Sequence, residues 1–238
     1  MEENKDLTPK NSIRVINLSG YEVPHVKEEH NKDWMAFGDN NGYFDAIIER
    51  YLGSPTNSRC INGITDMIFG RGLDALDSLD KPKEYLEMKK LLPKRQVKKI
   101  ASDYKLLGQA AIQVTYAKGK KKILKVGHFP MECLRAEKAS SKGVIQAYYY
   151  HPSWKNIKTS DKPKRIPSFG NGSDKELNEL YVIKPYRSGF YYYAPVDYHG
   201  CLQYCSLEEE VSNYHINNIK NGLQPSLLIN FNNGVPSE

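Results

Sequence analysis

The sequence predicts an α+β protein in which helical segments lead into small antiparallel sheets, and a long helix then runs to the start of a further strand. Three observations carry that prediction. Apolar residues recur at three- and four-residue spacing between Tyr43 and Leu107. Runs of period two flank short turns rich in Gly, Ser and Lys between residues 109 and 151. Pro195 and Gly222 then bracket a stretch of about seven turns, with proline suited to a first helical turn and glycine to the left-handed residue past a helix end.

The elements follow in order. Residues 1–40 are polar and without sustained periodicity, so they read as a flexible arm. A first helix over 42–51 carries Tyr43, Phe44, Ile47, Ile48 and Tyr51 at helical intervals, with Gly53 as its C-terminal cap. Ser54 and Pro55 open a second, whose apolar face is Ile61, Ile64 and Ile68 and whose stop is Gly70 and Gly72. That Gly-x-Gly lacks the preceding strand and third glycine of a nucleotide fingerprint. Asp80 and Pro82 start a third helix, Pro93 breaks it, and Val97, Ile100, Tyr104 and Leu107 continue the pattern to Gly108.

Two hairpins come next: 109–116 against 122–129 around a lysine-rich loop, and 132–138 against 145–151. Residues 157–179, rich in Pro, Gly, Ser and Asp, read as an exposed, mobile excursion, and 180–183 and 190–193 as strands. The tyrosines at 148–150 and 191–193 fit half-buried strands better than base-stacking platforms, because period two puts only alternate rings on each face. In the last helix Leu202, Cys205, Tyr214 and Ile219 recur near helical spacing. Ser206 and Glu209 fit a capping box, which leaves open a break at Ser206 or one long, kinked helix from Pro195; the single helix is the favoured reading.

At 238 residues the chain can bury a proper core, yet only 39% of it is hydrophobic, and its mean hydropathy is −0.63. That balance suits a protein rich in loops or completed by neighbours. No run approaches the roughly 18 apolar residues of a spanning helix, and the first residues lack a signal-peptide core, so neither membrane insertion nor secretion is expected. Four scattered cysteines, Cys60, Cys133, Cys201 and Cys205, do not make a disulfide scaffold. Cys201 and Cys205 share a helix face near His199 and His215, but without paired metal-ligand spacing, so no metal or cofactor is expected.

Gly-x-Ser-x-Gly, the phosphate-loop pattern and His-Glu-x-x-His are all missing, and Asp66, Asp74 and Asp103 have no spacing that singles out a metal nuclease. Catalysis is not expected. Charge is unevenly spread: between Lys81 and Lys125 fourteen Lys and Arg face three acids, a net +11, which leaves −5 for the rest of a chain whose total is +6. A basic segment of that kind points to an acidic partner, or to a merely solvated face. The first of these readings includes a stand-alone nucleic-acid-binding protein with a footprint over 94–122.

Tyr193, Pro195, a helix, then Asn221, Gly222 and Pro225 in the order Asn-Gly-x-x-Pro and an apolar run, resemble the helix-to-strand segment of tailed-phage portal proteins. DYKLLGQAAIQVTY and HFPMECLRAE resemble that family's helix end and following strands. The resemblance covers roughly residues 41–235 and is nearest to crAss-like phage portals through YYYHPSW, IKPYRSGFYYY and NFNNG. It implies a wing-like α+β region at 41–194, a stem-type helix at 195–222 and the truncated start of a clip at 223–238. It further implies a homo-dodecameric ring at a capsid vertex, which conducts double-stranded DNA in packaging and ejection and docks terminase, major capsid and neck or tail proteins. The setting implied is the virion, with assembly in the host cytoplasm. On that plan Glu208, Glu209 and Glu210 face the channel and repel phosphates, while Lys120, Lys121 and Lys122 contact an acidic capsid or subunit surface.

Overall fold

The computed structural model describes residues 24–29, 31–158 and 160–221. It opens with a hairpin of β1 (Val26–Glu28) and β2 (Met35–Phe37), then α1 (Tyr43–Gly53) and α2 (Pro55–Phe69). Ser54 joins these helices: its backbone N–H caps α1 through Arg50, and its side chain accepts from Asn57 N–H at the start of α2. Gly53 therefore lies within the last turn of α1 instead of capping it. α3 (Pro82–Leu91) and α4 (Lys94–Leu107) are separated at Pro93, and Gly108 ends α4 at φ 76°. On α2 the buried line is Ile61 and Thr65, whereas Ile64 and Ile68, expected on the core face, are exposed.

Two three-stranded antiparallel sheets complete the α+β body. β3 (Ala110–Tyr116) lies between β4 (Ile123–Phe129) and β8 (Asn178–Ile183), and β6 (Ala147–Tyr150) lies between β5 (Leu134–Ala136) and β7 (Lys164–Pro167). Both expected hairpins are present, the second with Leu134 opposite Tyr150 and Ala136 opposite Tyr148. The sheets are tied by Phe169 N–H donating to Leu180 C=O at 2.8 Å.

Three segments depart from the sequence expectation. The arm assigned to 1–40 does not describe residues 24–29 and 31–40: Met35, Ala36 and Phe37 are buried, and Phe37 stacks on Tyr193 with ring centroids 4.5 Å apart. This apolar run is too short for its period to be read, and its partner is remote in sequence. The excursion 157–179 contains β7, paired to β6 with Tyr148 opposite Ile166, and ends in buried Glu179. Residues 190–193 make no strand beyond one bridge between Arg187 and Phe190, because Tyr193 turns into the core.

At the centre of that core Arg135 is fully buried between the rings of Phe44 and Trp154, 5.1 and 5.2 Å from their centroids. Its guanidinium donates to Asn41 Oδ1 and, at 2.8 Å each, to the carbonyls of Asn41 and Leu134. Burial pulls its pKa down to about 10. These bonds lock the bend ahead of α1, where Asn40 and Asn41 hold positive φ.

Candidate interaction surfaces

The last described element is α5 (Leu202–Lys220), buried at Leu202 and Cys205 near its start and exposed along most of its length. It is entered through a single 3₁₀ turn at His199–Cys201, so the helix does not start at Pro195. Pro195 instead belongs to a pinned segment. Ala194 N–H donates to Gln109 Oε1 at 3.2 Å, and Val196 N–H to Tyr43 Oη at 3.3 Å. A side chain at Gly108 would come within 3.0 Å of the carbonyl oxygens of Ala194 and Pro195, so this close approach requires glycine. Tyr193 is buried, donates from its hydroxyl to Met35 C=O at 2.6 Å and accepts from Ala136 N–H at 2.9 Å. The Tyr-x-Pro residues thus anchor the chain to the sheet and to the β1–β2 hairpin, and do not form a helix start.

α5 passes Ser206 without a break. The Ser206 hydroxyl donates back to Leu202 C=O at 3.3 Å, so the capping-box reading does not hold. Leu202 and Cys205 face the body. From Glu210 to Lys220 every side chain but Asn218 is exposed. Tyr204, Leu207, Val211 and Tyr214 are exposed at spacings of three and four, and at about 100° per residue they lie on the side opposite Leu202 and Cys205. The helix ends at Asn221, whose N–H donates to Asn217 C=O. Gly222, Pro225 and the expected clip strand lie outside the described residues.

The three consecutive glutamates do not share one role. Glu208 accepts from the hydroxyls of Ser54 and Thr56, the latter at 2.6 Å, and Glu209 pairs with Arg50 at 2.8 Å. Arg50 also donates to Ser206 Oγ at 3.1 Å. Glu209 fits because residue 53 is glycine: a Cβ there would sit 2.7 Å from its carboxyl carbon. The Ser54 and Thr56 hydroxyls hold the Glu208 carboxyl below the usual carboxylate range. Two of the three acids therefore clamp α5 to the α1–α2 corner, and Glu210 is the exposed one.

The lysine trio divides likewise. Lys120, at φ 53°, folds back to bond Glu179 and, at 2.7 Å, Gly172 C=O. Glu179 also accepts from Gly170 N–H and Tyr116 Oη. Burial alone would raise its pKa; the Gly170 N–H and Lys120 outweigh that and lower it. Lys121 and Lys122 are exposed. Lys120 is a structural clasp between the β3–β4 loop and β8, which the sequence reading missed because Glu179 lies 59 residues away.

The carboxylates weighed as nuclease ligands are dispersed. Asp66 pairs with Lys98 at 2.8 Å, Asp74 accepts from Ala75 N–H and Tyr85 Oη, and Asp103 pairs with His128 at 2.6 Å. No group of three metal-capable side chains occurs among the described residues, and no helix among them is long and apolar enough to cross a membrane. Burial raises Cys133 to about 11, which leaves it a poor nucleophile.

No family model matches the chain, and no curated protein matches it. Solved structures do share its fold. A chain in the neck of an empty gene transfer agent particle, determined with C6 symmetry, superposes with a TM-score of 0.58 at 10% identity, over 77% of this chain and 48% of that one. A chain from the virion of the native particle gives 0.57 at 12% identity, over 82% and 51%. One in the native neck, determined with C12 symmetry, gives 0.57 at 10% identity, over 87% and 50%. The chain thus spans about half the length of the solved chains it matches. At these identities the likeness is one of fold.

Proposed function

We propose that this chain is a virion structural protein of the head–tail neck, a portal-type subunit that assembles with copies of itself into a ring conducting double-stranded DNA. The observation that carries the reading is α5: a helix clamped at its base and exposed on both faces beyond Glu210, on a fold shared with chains of symmetric particle necks. A helix so exposed is stabilised chiefly by packing against a neighbour. Tyr204, Leu207, Val211 and Tyr214 supply the apolar seam, and Glu210 is the acid left to face passing phosphates. The proposal keeps the resemblance to crAss-like portals, with terminase, capsid and tail proteins as partners. On this reading the role is structural, and burial accounts for the shifted pKa values of Arg135, Cys133 and Tyr193.

Mass photometry and negative-stain imaging of the purified chain test the proposal. Rings are expected, with weak DNA binding. A monomer whose DNA affinity falls steeply as salt rises would instead establish the basic, stand-alone binder, with exposed Arg95, Lys99, Lys121 and Lys122 in its footprint.

A further inference from the structure

The connection between α2 and α3 carries Leu76 and Leu79 at 110% and 93% exposure, within the run Asp74 to Asp80. Leucines so bare are costly unless a partner covers them. The segment is not slack: Ser78 N–H donates to Ala75 C=O and Asp80 N–H to Asp77 C=O, both at 3.1 Å. Its acids surround the leucines with negative charge. Asp74 is spent on Ala75 and Tyr85, and Asp77 meets Lys81 only at the surface.

Elsewhere on the molecule, a cleft of about 560 Å³ opens between β7 and the β3–β8 sheet. Its floor is apolar, built from Phe129, Tyr150, Ile166 and Leu177, and Lys164 and Lys175 stand at its rim. The other charged groups lining it are already engaged: Arg165 bonds Glu137 at 2.6 Å, and Glu176 accepts from Ser173 N–H and Oγ. Lys164 and Lys175, both exposed, make no ion pair among the described residues. Lys164, Arg165 and Lys175 outnumber Glu176, the one acid of the lining, so the cleft is net positive over a greasy floor, complementary in both respects to the acidic leucine loop.

We infer that the 73–80 loop of one copy inserts Leu76 and Leu79 into this cleft on the next copy, with Asp77 and Asp80 facing Lys164 and Lys175. The inference rests on the ring reading and gives it a specific contact. Because knob and socket are different patches of one surface, the contact is head-to-tail, the kind that closes rings or propagates filaments. Acid against lysine fixes the register while the leucines supply the buried area.

The test uses the full chain and follows its assembly by analytical ultracentrifugation, with circular dichroism confirming folding. Leu76→Asp with Leu79→Asp, and separately Lys164→Glu with Lys175→Glu, are each expected to weaken assembly at least about tenfold. Adding Asp77→Lys and Asp80→Lys to the second variant restores pairing, and raised salt weakens the wild type. A mixture of the knob-defective and socket-defective chains gives dimers and no rings, since each mixed pair retains one sound contact. Assembly that survives the leucine changes, or a charge swap that restores nothing, overturns the inference and leaves the ring reading standing. A wild-type chain that stays monomeric overturns both.

Discussion

At Lys120 and Arg135 charge enters the interior, and each is held by partners remote in sequence. Glu179 is only 2% exposed at its side chain, and Lys120 supplies its cation. Lys120→Ser strands that carboxylate and is expected to cost about 3 kcal/mol. Lys121→Ser with Lys122→Ser, both in water, should stay within about 0.5 kcal/mol of wild type, and urea denaturation separates the two cases. At Arg135 the flat guanidinium serves the Asn41 and Leu134 carbonyls while stacked between two rings. Lys cannot reproduce that fork, so Arg135→Lys is expected to lose about 3 kcal/mol, counted as at least one buried acceptor left bare plus lost stacking. A loss under 1 kcal/mol would show that neither the bonds nor the stacking contributes as argued. Nothing in the sequence singles out Arg135 within the 132–138 strand, since its burial depends on α1 and Trp154 arriving from either side.

At the scale of elements, α5 depends on its root. Arg50, Ser54 and Thr56 come from the α1–α2 corner, and Ser206, Glu208 and Glu209 from the helix, more than 150 residues on. Glu208 has its pKa lowered from 4.5 by the Ser54 and Thr56 hydroxyls. A lowered carboxylate contributes stability that is present above the unfolded value and lost as pH falls through the folded one. The melting temperature of wild type should therefore exceed that of Glu208→Gln at pH 7, with the gap closing as pH drops below 4.5; a gap independent of pH would dissociate the clamp from ionisation. The periodicity of α5 was legible, and so was its end at Asn221. Its start was not, because Pro195 satisfies the local rule for a first turn while Gln109, Tyr43 and Gly108 hold that segment elsewhere.

At the scale of the whole molecule, the proposed ring puts the exposed end of α5 where DNA and a neighbouring copy would meet the chain. Within the proposed ring Glu210 is the acid available to the channel, since Glu208 and Glu209 bond their own subunit. Glu210→Lys in an assembled particle is expected to slow DNA passage by adding attraction to phosphate; packaging at the wild-type rate would remove Glu210 from the channel. The net +11 between Lys81 and Lys125 is partly consumed inside the protein, by Lys98 on Asp66, Lys105 on Asp197 and Lys120 on Glu179. Total charge read from sequence therefore overstates what a partner sees.

By itself the sequence determined where the helices between residues 54 and 108 begin and stop, because Pro93, Gly70, Gly108 and the Ser54–Pro55 pair act through their own backbones, and it determined the pairing of both hairpins, because their strands are neighbours along the chain. It also supplied the resemblance to portal proteins on which the proposed function draws. The tertiary structure alone decided which of Glu208, Glu209 and Glu210 stays free, that Lys120 turns inward, that residues 35–37 join the core and that 164–167 form a third strand. Each of those outcomes depends on a partner brought close by the fold, and a side chain's hydrogen-bond partner at long separation leaves no periodic trace in the residues around it.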